Sequence, residues 1–398
     1  MNLTLIGLTD REAPVFTPEV AGLIACHRHF AGGARHRELV AGLLPPGAQW
    51  LDVTVPLDPF LQQLNDGRDR VVFASGDPMF FGIGNTLMRH FPQAHITVHP
   101  AMNALQMLAH ALHLNPGLFK TVSLTGRSWK AFDAALMLGE PQLAILTDKH
   151  KTPSAIAERM VQYGYHHYTM HVGVRLGGAH QQVVTAPVGE MAGRCFDHPN
   201  CLLLTTTGHH PVRRGIPEGE FHLLSGRPKM ITKMPVRLTT LALMQLHERT
   251  VMWDVGSCTG SMAIEARLMA PHLRVTAFEK RPESFDIITA NCRQFGAPGI
   301  DLMTGDFCEA DKSALPAPDA IFLGGYGGDM ARVLDLCHTH LLPGGVLAFN
   351  AVSAQSRLTF VQWCRHHHYP PVHETLLQVD DHNAIWVLVV QKALCPDG

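Results

Sequence analysis

Short apolar runs alternate with amphipathic stretches along the first half of the chain. LTLIG, VVFAS, TVSLTG and LAILTD are strand-like runs, and helical periodicity appears between most of them. This alternation is typical of a mainly parallel sheet covered by helices. The strand-like run CLLLTTT ends near Thr207, and the next stretch, GHHPVRRGIPEGEF, has no periodicity and is rich in Gly, Pro and charge. We therefore predict an α/β domain over residues 1–207 and a linker over 208–222.

The second half repeats the alternation, with clearer boundaries between the strand-like and helical runs. Helical stretches separate the strand-like runs VMWDVG, RVTAFE, DLMTGD, DAIFLGG and VLAFNAV. Two closing runs, VHETLLQV and AIWVLVVQ, are separated only by DDHN, which is too short for a crossover helix and predicts an antiparallel hairpin. Five parallel strands followed by a hairpin are the arrangement of the seven-stranded, Rossmann-like methyltransferase fold. We predict a second α/β domain of this fold over 223–398.

The composition narrows the class of protein. The 398 residues are 46% apolar and 17% charged, which suits two packed cores and not a disordered chain. A formal net charge of -2 offers no basic field for nucleic acid. The start, MNLTLIGLTD, lacks the features of a signal peptide, and no apolar run approaches the roughly 18 residues of a membrane span. We expect a cytoplasmic homo-oligomer with a small-molecule partner and no nucleic-acid or membrane partner.

The cysteines and histidines do not indicate a metal site. The nine cysteines include no CxxC pair, which favours reduced thiols over a zinc ribbon or a disulfide framework. The 26 histidines include pairs at 166–167 and 209–210 and a triplet at 366–368. Adjacent residues of a strand point to opposite faces, and no HxxxH with an acidic helper occurs, so we expect no metal.

The strand, loop and helix around residue 254 predict a nucleoside-binding site. VMWDVG places Asp254 at the carboxyl end of a strand, and Gly256 and Gly260 bracket a loop that can approach a ligand closely. Glu279 ends the next strand, at about the spacing at which an acidic side chain meets ribose hydroxyls. Asp306 ends the strand after that and could accept from an adenine amino group. DVGSCTGS lacks GxGxxG, which disfavours a nicotinamide oxidoreductase.

Four segments of the second half, MITKMPVR, WDVGSCTGS, PAPDAIFLGG and LLPGGVLAFNAV, resemble the C-terminal half of the precorrin-6Y C5,15-methyltransferase family, the decarboxylating enzymes of cobalamin synthesis. The resemblance implies S-adenosyl-L-methionine as the methyl donor. It also implies that the donor is bound by Thr232, Gly256, Ser257, Cys258, Thr259, Gly260, Glu279, Asp306 and Phe307. The family usually has a second glycine where this chain has Cys258.

Four residues of the second half are expected to face the methyl acceptor by their positions. Gly324, Gly325 and Tyr326 follow the fourth strand, and Asn350 ends the fifth. The glycines leave room for a broad macrocycle, and we predict that Tyr326 and Asn350 act in catalysis by hydrogen-bonding it. A flexible loop and a strand-end cap are the alternatives.

Segments of the first half, HRHFAGGARHRELV, SGDP, SLTGR and LTDKHKTPSAIA, resemble the tetrapyrrole methylases, whose fold is unrelated to that of the second half. In that family SGDP lies beside the methyl donor, which implies that Ser75, Gly76 and Asp77 bind it. The resemblance also implies that Thr147 lines the same cleft. A helix cap followed by proline would explain the SGDP turn on structural grounds alone.

The two resemblances, in this order, imply one fused enzyme of corrin synthesis. We predict methylation of a precorrin at carbon 5 by the first domain, and methylation at carbon 15 with decarboxylation of the ring C acetate by the second (precorrin-6Y/6B to precorrin-8). The carboxylates of the tetrapyrrole are expected to meet Arg35, Lys233 and Arg237 at the rims of the sites. The alternatives are the same steps on a cobalt-precorrin, or a methyl-donor-binding protein with a degenerate site. The altered glycines support the latter: Cys258 stands for a glycine, and Gly7-Leu8-Thr9-Asp10 replaces a usual Gly-rich loop. Asn103 stands where the tetrapyrrole methylases usually have a serine.

Overall fold

The chain divides into two compact units in a computed structural model, which describes residues 1–206, 208, 212–227, 230–380 and 384–394. The first unit comprises Met1–Arg127, Pro141–Glu158 and His166–Gly208. The second comprises Ser128–Glu140, Arg159–Tyr165 and His209–Gly398. The pair at 209–210 and most of the DDHN turn lie outside the described residues. The domain limits proposed above stay predictions.

The first unit contains two five-stranded sheets, of which the first is parallel throughout. Its strands are β1 Asn2–Leu8, β2 His29–Gly32, β3 Gln49–Asp52, β4 Arg70–Ser75 and β5 His95–His99, in the order β3-β2-β4-β1-β5. Its helices are α1 Pro18–Cys26, α2 Ala34–Val40, α3 Asp58–Leu64, α4 Ile83–His90 and α5 Ala104–Ala111. The adjacent residues Val71 and Val72 are both fully buried, because helices cover both faces of a parallel sheet.

The second sheet of this unit is mixed, whereas the sequence pattern predicted mainly parallel strands. Its strands are β6 Lys120–Ser123, β7 Gln142–Leu146, β8 Tyr168–Val174, β9 Gln182–Pro187 and β10 Asn200–Thr206. They lie in the order β6-β7-β10-β8-β9, and only β6 and β7 pair in parallel. Residues 175–181, between β8 and β9, are too few for a crossover helix, so these strands pair antiparallel. The next helices along the chain are α6 Lys130–Met137, α7 Pro153–Gln162 and α8 Val188–Met191.

The second unit has a seven-stranded sheet that confirms the predicted fold. Its strands are β11 Val251–Val255, β12 Arg274–Glu279, β13 Ile300–Thr304, β14 Ala320–Leu323, β15 Val346–Ala351, β16 His373–Leu377 and β17 Ile385–Gln391. In the order β13-β12-β11-β14-β15-β17-β16, the first five are parallel and β17 is antiparallel to both neighbours. Its helices are α9 Met234–Leu243, α10 Ser261–Met269, α11 Glu283–Gln294, α12 Met330–His340 and α13 Ala354–His366.

The strand register places the candidate site at the carboxyl ends of the central strands of this sheet. Val255 lies opposite both Phe278 of β12 and Leu323 of β14. The strand order reverses at β11, and the carboxyl ends of β11, β12 and β14 therefore bound a crevice of the kind in which α/β proteins bind ligands.

Two segments from earlier in the chain complete the second unit. The buried carboxylate of Asp133 accepts two hydrogen bonds from the Arg159 guanidinium, each of 2.7 Å. The Tyr165 hydroxyl donates to the carbonyl oxygen of Gly296 at 2.7 Å. Met137 packs in one buried apolar cluster with Phe295.

Candidate functional site

A cavity of about 910 Å³ lies at the carboxyl ends of β11, β12 and β14. The structure brings most of the predicted residues of the second half into its wall. These are Thr232, Lys233, Asp254, Gly256, Ser257, Cys258, Thr259, Glu279, Asp306, Phe307, Gly324, Gly325, Tyr326 and Asn350. Gly260 and Arg237 are not in this wall.

The loop between β11 and α10 is shaped by two glycines with positive φ. Gly256 has a φ of +76°, and a Cβ atom added there would lie 2.5 Å from the backbone nitrogen of Gly325. Gly260 has a φ of +77°, and its added Cβ would lie 2.8 Å from Cγ2 of Ile288. Gly256 therefore allows two backbone loops to touch under the cavity, while Gly260 allows the turn into α10 to pack on α11.

Asp254 holds this loop from below. Its fully buried carboxylate accepts hydrogen bonds through Oδ2 from the Ser257 hydroxyl at 2.8 Å and from the backbone nitrogen of Ala263 at 3.1 Å. Oδ1 has no hydrogen-bond partner among the described residues. Burial raises the pKa of Asp254 to about 7. The carboxyl group thus changes its charge near neutral pH while it links the loop to the first turn of α10.

Glu279 closes the other side of the loop. Its Oε2 accepts from the backbone nitrogen of Cys258 at 2.8 Å. Its Oε1 accepts from the backbone nitrogen of Arg281 at 3.0 Å and from Nη1 of the same residue at 2.9 Å. Both carboxylate oxygens are therefore occupied by groups of the protein, and the Arg281 side chain is the one that can move away without breaking the loop.

Cys258 adopts a left-handed conformation with a φ of +54°. Its thiol donates to the carbonyl oxygen of Met230 at 3.0 Å. Burial, together with the charge of Glu279, raises the pKa of the thiol to about 11. The thiol is therefore protonated at neutral pH and acts as a hydrogen-bond donor, which is unsuited to a nucleophile.

Asn350 and Tyr326 lie in the wall on the side of β14 and β15. Oδ1 of Asn350 accepts from the Thr240 hydroxyl at 3.0 Å, and its buried Nδ2 has no partner among the described residues. The Tyr326 ring packs against Phe349 with the ring centroids 6.1 Å apart. Asn350 thus lies in the cavity wall with Oδ1 held by Thr240 and with its buried Nδ2 unsatisfied.

Asp306 and Phe307 differ in their surroundings. Asp306 is exposed, and its Oδ1 accepts from the backbone nitrogen of Cys308 at 2.8 Å. The Phe307 ring is mostly buried and packs edge-on against Phe278, with the centroids 5.0 Å apart. Phe307 is therefore mainly a core residue of which one edge reaches the cavity.

The expectation that Arg237 meets a substrate at the rim is wrong. The side chain is fully buried and pairs with Glu265, with Nε 3.2 Å from Oε2. Nη1 donates to the carbonyl oxygen of Thr232 at 2.7 Å, and Nη2 donates to that of Ile216. A buried guanidinium requires such partners, and its role here is to hold the segment that carries Thr232. Lys233 does line the cavity, with Nζ 3.9 Å from Oε1 of Glu218.

The first unit has its own cavity, of about 380 Å³, at the carboxyl ends of β1 and β4. Of the residues predicted there, Ser75, Gly76 and Arg35 lie in the wall. Asp77 and Thr147 do not. The carboxylate of Asp77 accepts from the backbone nitrogen of Met79 at 2.8 Å, as expected of a turn residue. The Thr147 hydroxyl is 2.6 Å from the carbonyl oxygen of Asn200, which does line the cavity.

The SGDP loop packs tightly on the start of α5. Gly76 has a φ of +60°, and an added Cβ would lie 2.7 Å from Cα of Asn103. Asn103 also lines the cavity and caps α5, with Oδ1 accepting from the backbone nitrogen of Gln106 at 2.9 Å. The asparagine at this position is thus explained by its role as a helix cap.

His36 is a wall residue that the sequence reasoning missed. Its Nε2 lies 2.9 Å from the Ser75 hydroxyl oxygen, and its Nδ1 lies 3.2 Å from the backbone nitrogen of Gly33. Burial and the neighbouring Arg35 lower its pKa to about 4. The only sequence signal was its place in the run HRHFAGGARHRELV, where several histidines and arginines compete.

Metal-binding clusters and membrane-spanning helices are both absent from the described residues. No group of three or more His, Cys, Asp or Glu side chains is placed there to hold a metal ion. No described helix is long and apolar enough to cross a membrane. The cytoplasmic location and the homo-oligomeric state stay predictions.

The two units match the models of two methyltransferase families. Residues 226–378 match the precorrin methyltransferase domain, and residues 44–192 match the tetrapyrrole (corrin/porphyrin) methylases. The chain is therefore a two-domain methyltransferase, as predicted.

Relatives define the family more narrowly. A precorrin-6Y C(5,15)-methyltransferase [decarboxylating] of Sinorhizobium sp is 30% identical over 382 residues, 95% of this chain and 90% of that protein. The chain belongs to this decarboxylating precorrin-6Y C5,15-methyltransferase family. Two Salmonella typhimurium proteins each match a smaller part. One is a cobalt-precorrin-6B C(15)-methyltransferase (decarboxylating), 36% identical over 36% of this chain and 76% of its own length. The other is a cobalt-precorrin-7 C(5)-methyltransferase, 27% identical over 47% of this chain and 90% of its own length.

Proposed function

We propose that each unit binds one S-adenosyl-L-methionine and methylates one carbon of a precorrin. The first unit acts at carbon 5, and the second acts at carbon 15 with loss of carbon dioxide from the ring C acetate. The observation that carries this proposal is the presence of two separate cavities, one at the carboxyl edge of a sheet in each unit. The two Salmonella proteins support it, because each has one of the two named activities on its own.

The residues of the second cavity fit an adenosyl sulfonium. The glycine at 256 keeps the loop backbone free of side-chain bulk, and Glu279 offers a carboxylate for ribose hydroxyls once Arg281 moves aside. The unpartnered Oδ1 of Asp254 lies beneath the loop. Thr232 and the edge of Phe307 complete the binding surface.

The protein's part in the reaction is alignment and the exclusion of water. S-adenosyl-L-methionine supplies an electrophilic methyl group, and an electron-rich ring carbon of the acceptor is the nucleophile. No nucleophilic side chain is therefore required, in keeping with the protonated thiol of Cys258. The bare glycines at 324 and 325 leave space for the flat acceptor, while Nδ2 of Asn350 donates a hydrogen bond to it.

Mass spectrometry of the acceptor after incubation with the full-length chain and S-adenosyl-L-methionine tests the proposal. We expect a gain of two methyl groups with the loss of one carbon dioxide. Precorrin and cobalt-precorrin acceptors compared side by side decide which substrate is used. An unchanged acceptor mass with both would refute the function.

A variant separates the two sites. Asp254→Ala should leave a gain of one methyl group without loss of carbon dioxide. The reason is that this carboxylate holds the loop between β11 and α10, which belongs to the cavity of the second unit. Loss of both methylations in a folded variant would contradict two independent sites.

A further inference from the structure

Several polar groups of the first cavity are linked by hydrogen bonds or ion pairs. The Ser75 hydroxyl, His36 and the ion pair between Arg35 and Asp10 lie there. Much of the remaining wall is apolar, with side chains such as Phe80, Met102 and Met107. These groups can give a ligand in this cavity directional contacts.

The hydrogen bonds determine which nitrogen of His36 carries the proton. The backbone N–H of Gly33 points at Nδ1 over 3.2 Å, so Nδ1 must accept and is unprotonated. A neutral imidazole then carries its proton on Nε2, which lies 2.9 Å from the Ser75 oxygen and is also hydrogen-bonded to the backbone of Phe73. The pKa of His36, lowered to about 4 by burial and Arg35, keeps the ring neutral at physiological pH.

This tautomer of His36 restricts the direction of the Ser75 hydroxyl proton. Its oxygen lies 2.9 Å from the protonated Nε2 of His36. Because a protonated ring nitrogen cannot accept, the hydroxyl proton of Ser75 has to point elsewhere, and the open side is the cavity. A protonated Nδ1 would have left Ser75 free to donate to the ring instead.

We propose that His36 is a positioning residue of the first cavity: it orients the Ser75 hydroxyl as a hydrogen-bond donor toward an acceptor oxygen of the bound methyl donor. This rests on the proposed function of the first unit as the carbon 5 methyltransferase. In this role His36 acts through Ser75 and not on the reacting atoms.

Steady-state kinetics of the full-length chain test this role, with methyl gain at carbon 5 as the readout. His36→Leu should raise the KM for S-adenosyl-L-methionine about three- to tenfold, the size of one lost hydrogen bond, with little change in kcat. His36→Gln should restore most of the affinity, because its Nε2 can still donate to Ser75. His27→Leu is the matched control, since His27 bonds to the carbonyl oxygen of Leu23 and does not line the cavity.

A double variant separates positioning from a merely structural role. In the Ser75→Ala background, His36→Leu should add no further rise in KM. An additional, multiplied rise would overturn the proposal, and so would a His36→Leu variant with the wild-type KM. Methylation with decarboxylation in the same samples should stay at its wild-type rate throughout.

Nitrogen-15 NMR of the wild-type chain, with the His36 signal assigned by its absence in His36→Gln, adds a readout independent of activity. The Nε2–H tautomer is expected, and the Nδ1–H tautomer would overturn the proposal. A wild-type chain that binds no methyl donor in the first cavity would instead defeat the proposed function, and this inference with it.

Discussion

In both cavities a glycine with positive φ lets the loop after a strand pack closely on a second segment, but the side chains that form hydrogen bonds around the loop differ. Gly256 packs against Gly325 in the second unit, and Gly76 packs against Asn103 in the first. In the second unit, buried carboxylates accept the hydrogen bonds of the loop, whereas in the first a histidine is hydrogen-bonded to a serine. Acidic residues at strand ends can therefore hold the loop as well as bind a ligand. Asp254 and Glu279 already hydrogen-bond the loop in the ligand-free chain.

The cavities also differ in size, and the difference bears on what each encloses. The second has about 910 Å³ and the first about 380 Å³. Pockets for drug-sized ligands span roughly 300–1,000 Å³. The second therefore has room for more than one small ligand, whereas the first suits a single small ligand.

The largest effect is expected from Gly256→Ala. The variant combines left-handed strain with a Cβ clash against Gly325, and it should lower the free energy of unfolding by about 2–5 kcal/mol. Methylation with decarboxylation should also be lost. Gly226→Ala is the matched control, because Gly226 has a φ of +71° but open space around it; it should cost about 1–2 kcal/mol. Equal losses in urea denaturation would show that the contact with Gly325 is unimportant.

Asp254→Asn should remove a pH dependence that belongs to the second cavity. Burial raises the pKa of Asp254 from 3.8 to about 7, so the folded state retains a proton that the unfolded state releases. Its contribution to stability is present below about pH 4 and is lost as the pH rises through 7, by up to about 4 kcal/mol. Asparagine can keep the bonds from Ser257 and Ala263 without titrating. The variant should therefore gain stability relative to wild type between pH 4 and 8, and a constant difference in urea denaturation would contradict this.

His36→Gln should show the opposite sign in the first cavity. Burial and Arg35, itself paired with Asp10, lower the pKa of His36 from 6.5 to about 4. The neutral ring stabilises the folded state above pH 6.5, and this contribution, up to about 3 kcal/mol, is lost as the pH falls to 4. The stability advantage of wild type over the variant should shrink over that range. An advantage that grows toward pH 4 would mean that the folded state binds the proton.

Cys258→Gly should have the smallest effect. Glycine relieves the left-handed strain at this position but gains entropy in the unfolded chain and loses the bond from the thiol to Met230. These terms nearly cancel, and the free energy of unfolding should change by less than about 1 kcal/mol. A loss of several kcal/mol would show that the thiol is essential to the loop.

Features local in the chain were determined by the sequence alone. The turn between the last two strands is too short for a helix, so the antiparallel hairpin follows from chain length. The stretch from Asp254 to Gly260 places its glycines where a strand must turn into a helix. Glu279 is the last residue of β12, and Asn350 is the last but one of β15 in the same sheet. Spacing therefore predicted which strand ends would meet at the second cavity.

Features that depend on partners distant in the chain were decided only by the tertiary structure. Arg237 is buried because Glu265 and the carbonyl oxygen of Ile216 happen to surround it. His36 gained its role from Ser75 on another strand, which no local pattern reveals. The physical reason is common to both: a polar side chain is directed by whichever partner satisfies its hydrogen bonds after packing, and that partner is specified by the whole fold.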